Sequence, residues 1–243
     1  VAPSGLGAFL SRMGEDGFVG GNVTVPHKEA VIAHVAALSP AAARLGAVNT
    51  LVATPAGLHG DTTDGVGWAA SLDAEIGPAW AAGPQRHAVL IGAGGAARAV
   101  AGTLLDRGFA RITIVNRTKE KSDALRGLDP ARLAAAGFGD LPALLDGAAL
   151  LVNASTLGMH GQPPLLLDLS PLPPEAVVAD IVYVPRTTPL LAAARARGLR
   201  TVGGLGMLLH QAVPGFQAWF GVRPTVTPAL RALIEADLDG PSP

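Results

Sequence analysis

Val89-Leu-Ile-Gly92-Ala-Gly94-Gly95-Ala-Ala97-Arg98 is an apolar run that ends in closely spaced glycines and passes into helix-forming residues. It reads as strand, tight turn and helix. Gly92, Gly94 and Ala97 match the G-x-G-x-x-G/A fingerprint, in which small residues let the backbone approach a pyrophosphate at the positive end of a helix. The spacing alone does not decide, because a chain with 31 glycines also produces it at purely structural strand-to-helix turns. The sequence downstream favours the nucleotide.

From His87 onward, strand-like and helix-like stretches alternate, with strands expected at residues 87–91, 111–115, 149–153, 177–182 and 200–203. That order predicts a parallel, doubly wound sheet. The second strand runs into Asn116-Arg117-Thr118-Lys119-Glu120-Lys121. NAD-binding versions place an acid at that strand end for the ribose hydroxyls, whereas a 2′-phosphate is repelled by an acid and met by Arg. The strand ends without an acid and with Arg117, and Lys121 follows one helical turn on, so NADP is expected rather than NAD. A surface charge is the bland alternative for Arg117, and Lys119 is read as one.

Composition narrows the rest. With 243 residues and 49% apolar content the chain can furnish one large or two smaller cores. A net charge of -1 offers no field for nucleic acid or anionic membrane, so the expected partner is a small molecule. The longest apolar region, residues 88–105, contains Arg98, which costs roughly 3 kcal/mol at mid-bilayer, so no membrane span is expected. No signal-peptide pattern opens the chain and it has no cysteine, which excludes a disulfide framework and a thiolate zinc site and points to the cytoplasm. His27 and His34 lack a supporting carboxylate, so no metal site is expected.

Ahead of the nucleotide segment, residues 20–25 alternate like a half-buried strand. Pro26 stops it, and the apolar spacing beyond predicts a helix over residues 26–39. Lys28 falls in its first turn, where the helix dipole disfavours a cation and lowers its pKa, a direction useful for proton transfer. Only three of the 18 basic residues are lysines, which singles Lys28 out against the alternative of a solvated side chain. Residues 47–53 read as a strand with Asn49 as its odd polar member, and the Thr54-Pro-Ala-Gly57 turn returns the chain as a hairpin. Asp61 or Asp64 is placed to cap the following helix, worth about 1 kcal/mol. Residues 77–83, with Pro78 and Pro84, mark a boundary. Asn153-Ala-Ser155 and Asp180-Ile-Val-Tyr183 lie on the carboxyl edge of the sheet, where ligands of open sheets bind. Pro214-Gly215 is expected to kink the helix that carries Gln211, and another helix is expected over residues 228–237.

Taken in order, Asn22-Val-Thr24-Val-Pro26-His-Lys28, Gly46-Ala-Val-Asn49-Thr50, Gly60-Asp61-Thr-Thr-Asp64-Gly65, Gly92-Ala-Gly94-Gly95-Ala96, Asn116-Arg117-Thr118 and Gly204-Leu-Gly206-Met-Leu-Leu-His-Gln211 resemble shikimate dehydrogenase from about residue 20 to residue 221. The resemblance implies an α/β, two-domain enzyme in which a Rossmann-type parallel-sheet NADP domain, residues 83–205, is inserted into a smaller α/β substrate domain. Residues 1–82 and the returning helices of residues 206–243 would form that second domain. It implies NADPH-dependent, reversible reduction of 3-dehydroshikimate to shikimate in aromatic amino-acid biosynthesis, by a monomer or homodimer. Lys28 would be catalytic with Asp64 as its partner, and Thr24, Asn49, Tyr183 and Gln211 would contact substrate, supported by Asn22. Gly92, Ala93, Gly94, Gly95, Ala96, Asn116, Arg117, Thr118, Lys121, Ile181 and Gly204 would form the NADP wall.

The chain departs from the family at two places. Thr62 stands where the family usually has Asn. No Ser-x-Ser, the family's carboxylate-binding loop, precedes Asn22, so the chain is expected to begin after the family's first strand and that loop, and to be inactive if it needs them. A quinate/shikimate dehydrogenase is the near alternative, which an acid at the second strand end would favour. A relative that binds nucleotide or shikimate without turnover is the other, against which stand both Lys28 and Asp64.

Overall fold

The computed structural model describes residues 1–83 and 86–239. Pro84, part of the expected boundary, and the tail at residues 240–243 lie outside them.

The first half of the chain forms a mixed sheet. After helix α1 (Leu6–Arg12) come strands β1 (Gly20–Asn22) and β2 (Ala37–Leu38), helix α2 (Pro40–Leu45), and the hairpin β3 (Thr50–Thr54) and β4 (Gly57–Asp61). The strand order is β1-β3-β4-β2, antiparallel except where β2 runs parallel to β4. The helix expected over residues 26–39 does not form. In its place stand turns, a 3-10 segment at Ala30–His34 and β2. β-Branched Val31, Ile32 and Val35 are indifferent helix formers. Pairing outcompetes them: Ala36 N–H donates to Leu58 O and Ser39 N–H to Gly60 O, drawing the chain onto β4. Lys28 therefore sits in a turn, and the helix-dipole argument for its pKa lapses.

Helix α3 (Asp64–Ile76) connects the two halves. Neither aspartate caps it. Thr63 occupies the N-cap without a side-chain capping bond, Asp64 is the first helical residue, and Asp61 accepts from Ser39 Oγ and Thr62 N–H.

The second half is a six-stranded, wholly parallel sheet. It comprises β5 (His87–Ile91), β6 (Arg111–Val115), β7 (Leu133–Ala136), β8 (Leu150–Asn153), β9 (Val177–Asp180) and β10 (Arg200–Val202), ordered β10-β9-β8-β5-β6-β7. Helices α4 (Gly95–Asp106), α5 (Lys119–Arg126), α6 (Leu141–Leu145) and α7 (Pro189–Ala196) accompany it. β7 escaped sequence reading, because Leu-Ala-Ala-Ala carries no β-branched or aromatic residue and lies at the edge. Strands buried on both faces form the centre. Their side chains divide between two clusters, one under Trp68, Leu72, Leu104 and Phe109 and the other around Val89, Ile91, Leu151 and Leu191. Each such side chain contributes about 1.5–3 kcal/mol on burial.

Helices α8 (Gly204–Phe220) and α9 (Pro228–Asp239) complete the chain. α8 runs through Pro214 as one helix. α3 is wedged between α8 and α4. A Cβ built on Gly67 would lie 2.4 Å from Gln211 N, and one on Gly65 would lie 2.9 Å from Ala99 O. Both contacts are with backbone, which cannot swing aside. Gly67→Ala should therefore destabilise the fold by about 1–3 kcal/mol, read as a lowered urea midpoint at unchanged slope.

Candidate active site

Four segments that are distant in sequence converge at the start of α3. Lys28 Nζ donates to Asp64 Oδ2 at 2.5 Å, with the two side chains 13% and 5% exposed. The other carboxylate oxygen, Asp64 Oδ1, accepts from Asn49 Nδ2 at 3.0 Å. The same amide nitrogen reaches Thr63 Oγ1 and Gln211 Oε1, each at 2.9 Å. Asn49 Oδ1 accepts from Thr63 N–H and Thr50 Oγ1. Main-chain bonds fix the segments themselves: Val48 N–H donates to Lys28 O, Asn49 N–H to Asp61 O, and Val23 N–H to Asn49 O.

The structure thus brings together Lys28, Asp64, Asn49 and Gln211. Asn22 joins at the edge, donating from Nδ2 to Asn49 O at 3.2 Å. Thr24 and Tyr183 are exposed, and no hydrogen bond among the described residues joins either to this cluster. Tyr183 lines a neighbouring cavity of about 550 Å³ with Gly204 and Leu205. Among the described residues, no three His, Cys, Asp or Glu side chains gather as metal ligands.

The glycine turn lies beside the cluster. Gly92 has φ +108° at the end of β5, and a Cβ there would meet Ala154 O at 2.7 Å, so only glycine fits. Gly94 is the N-cap of α4 and no side chain caps that end. A Cβ built on Gly94 would have nothing within 4 Å, so the space beside this uncapped helix N-terminus is open. These features fit a pyrophosphate. Ala93 is buried within the turn, and Ala96 follows Gly95 in the first turn of α4. At the end of β6, Asn116 Nδ2 donates to Thr118 O, which shapes the turn, and Arg117 and Lys121 are exposed. Lys119 pairs with Asp123 and is 72% exposed, as a surface charge should be. On the opposite side, Gly204 packs its Cα against Ile181 O, where a Cβ would come within 2.1 Å.

The sequence marks no role for Asn153 and Asp180 beyond their place on the carboxyl edge of the sheet. They link adjacent strand ends. Asn153 Nδ2 donates to Asp180 Oδ1 and to Leu157 O, and its oxygen accepts from Ser155. Asp180 also accepts from Val182 N–H and from Thr188 Oγ1 at the cap of α7. Asp180 thereby ties down the loop that carries Ile181 and Tyr183. Burial pushes its carboxyl up to about 6, although all three donors favour the ionised form. A polar residue ending an apolar strand was the available signal.

The chain matches three family profiles. Residues 1–51 match the shikimate dehydrogenase substrate binding domain, residues 81–158 shikimate / quinate 5-dehydrogenase, and residues 204–234 the shikimate 5'-dehydrogenase C-terminal domain. A shikimate dehydrogenase (NADP(+)) of Methylobacterium radiotolerans is 55% identical over 99% of this chain and 86% of its own. Among solved structures, a shikimate dehydrogenase in complex with NADP+ superposes with TM-score 0.87 at 31% identity, covering 99% of this chain and 84% of the other. The Thermus thermophilus shikimate 5-dehydrogenase in complex with NADP(H) and shikimate gives 0.83 at 34% identity, covering 98% and 85%.

The raised Asp180 pKa has a thermodynamic sign. The unfolded chain loses this proton near pH 4 and the folded chain near 6, so the group's contribution falls as pH rises between them and is constant above. Relative to Asp180→Asn, the unfolding free energy of the parent should drop by up to about 3 kcal/mol across that window, measured by denaturant titration at each pH.

Proposed function

The chain belongs to the shikimate dehydrogenase family, and on that premise we propose that Lys28 and Asp64 carry the proton step of its reaction while residues 92–96 hold the cofactor. The reaction is the reversible, NADP-dependent reduction of 3-dehydroshikimate to shikimate, a step of aromatic amino-acid biosynthesis. The observation that carries the residue assignment is the buried Lys28–Asp64 pair, set beside a glycine turn whose helix N-terminus is open.

When bound, NADPH supplies a hydride to the ring carbonyl carbon, and NADP+ accepts it in the reverse direction. As the carbonyl oxygen gains electrons it needs a proton or a strong donor, and the Lys28 ammonium provides one. At 13% exposure its charge is poorly screened, so it stabilises a developing alkoxide more than it would in water. Asp64 fixes Nζ and takes part in removing the proton when shikimate is oxidised. Asn49 and Gln211, already bonded to each other, orient the ring hydroxyls. Thr24 and Tyr183 contact the substrate from exposed positions, and Asn22 supports Asn49.

The turn at residues 92–96 receives the pyrophosphate. Asn116, Arg117, Thr118 and Lys121 meet the 2′-phosphate and its ribose, while Ile181 and Gly204 line the nicotinamide side. In this assignment residues 83–205 are the cofactor domain, and residues 1–82 with 206–243 the substrate domain. No described helix is long and apolar enough to cross a membrane. A cytoplasmic location and a monomeric or homodimeric state complete the proposal.

The test is shikimate-dependent reduction of NADP+ followed by absorbance. Lys28→Ala should lower kcat by about 10²–10⁴-fold while NADP+ affinity stays nearly constant. Equal loss of both would make Lys28 structural. Arg117→Ala should raise the KM for NADP+ roughly tenfold or more and leave that for NAD+ unchanged; an unaltered preference would remove Arg117 from the phosphate site.

A further inference from the structure

Adjacent glycines in the cofactor turn face different things. A Cβ built on Gly94 meets open space, whereas one on Gly95 would fall 3.0 Å from Lys28 Cβ, 3.2 Å from Lys28 Cδ and 3.6 Å from Ala47 Cβ. The bare Cα of the first residue of α4 therefore rests against the methylene stem of Lys28. Both ends of that lysine are already fixed, its carbonyl by Val48 N–H at 2.8 Å and its Nζ by Asp64 at 2.5 Å.

The helix also has little room to back away. Its Ala97, Val100, Ala101 and Leu104 are fully buried in one cluster with Leu90 and Ile112 of the sheet, and Arg44 holds Asp106 in a two-pronged ion pair with contacts of 2.8 and 2.7 Å. A methyl group at position 95 would push the lysine stem by a few tenths of an ångström and so shift Nζ relative to Asp64.

We propose that Gly95 is a positioning residue for Lys28: its missing side chain lets the turn that receives the cofactor pyrophosphate serve as the wall that aims the lysine ammonium. The inference rests on Lys28 as the proton donor and goes beyond the role of Gly95 in the cofactor wall. Seating a pyrophosphate on this turn fixes the wall against which the lysine leans. Cofactor placement and proton-donor placement then share one van der Waals contact.

The experiment compares Gly95→Ala with Gly94→Ala in the full chain, measuring kcat for shikimate oxidation across pH and NADP+ affinity by fluorescence titration. Gly95→Ala should lose about ten- to hundredfold in kcat, the sensitivity expected of a misplaced catalytic group. Its kcat–pH profile should change, and its loss in kcat should exceed any loss of NADP+ affinity by about tenfold or more. Gly94→Ala should do the reverse, weakening NADP+ while keeping the parental pH profile. In a Lys28→Ala background, Gly95→Ala should cost nothing further, because the two act through one group. An equal cost in that background, or a loss of NADP+ affinity matching the loss in kcat/KM, would overturn the inference. Lys28→Ala that retains full turnover would instead defeat the assignment of Lys28 itself.

Should Gly95→Ala not fold, acylation of Lys28 in the unaltered chain, read by mass spectrometry against an added lysine peptide, answers the same question. ADP-ribose 2′-phosphate, which has the pyrophosphate and no nicotinamide, should change the Lys28 rate several-fold. An unchanged rate would overturn the proposal.

Discussion

A carboxylate buried in the first turn of a helix is tolerable only if its charge is answered, and Asp64 is answered from a segment 36 residues earlier. Removing either partner of such a buried pair costs on the order of 3–5 kcal/mol, because the other charge is left without water or counter-ion. The requirement organises the neighbourhood. The turn bearing Lys28 must lie across the N-terminus of α3, and Asn49, just ahead of β3, must donate a hydrogen bond to the second carboxylate oxygen. Gln211 on α8 must then meet Asn49, which draws the C-terminal helices back to the first half of the chain.

That convergence is possible because backbones approach at places where side chains would hold them apart. Gly67 admits α8, Gly65 admits α4, Gly204 admits the segment after β9, and Gly95 admits the lysine. These close approaches set the packing of α3 against α4 and α8. Hydrogen bonds then fix orientation within it, Trp219 Nε1 to Leu51 O and Thr63 Oγ1 to Gln211 O among them.

The parallel sheet was legible in the sequence because its central strands are continuous apolar runs that end in glycine or polar residues, a pattern with few other solutions. Most strand boundaries came within one or two residues. The segment around Lys28 was not legible, because its apolar spacing suits a helix and only pairing with β4, a contact remote in sequence, reveals otherwise. Residue types in the site could be read from their oddness: a scarce lysine, an Asn beside an apolar strand. Their joint geometry could not, since the Lys28, Asn49, Asp64 and Gln211 cluster depends on contacts spanning up to 162 positions. Asp180 was visible as a polar residue ending an apolar strand, but its work of fastening loops depends on Asn153 and Thr188, which local pattern does not join to it.

The close-packed glycines also govern how the gene can change. Every other encoded amino acid carries a Cβ, so at Gly65, Gly67 and Gly204, where the obstructing atoms include main chain, no chemically conservative replacement exists. Polarity and charge, which decide tolerance over most of a protein surface, have no bearing there. Neutral drift is closed at these places by geometry alone, and they mark a line through α3 and the start of α8 along which the chain can vary only by moving whole helices.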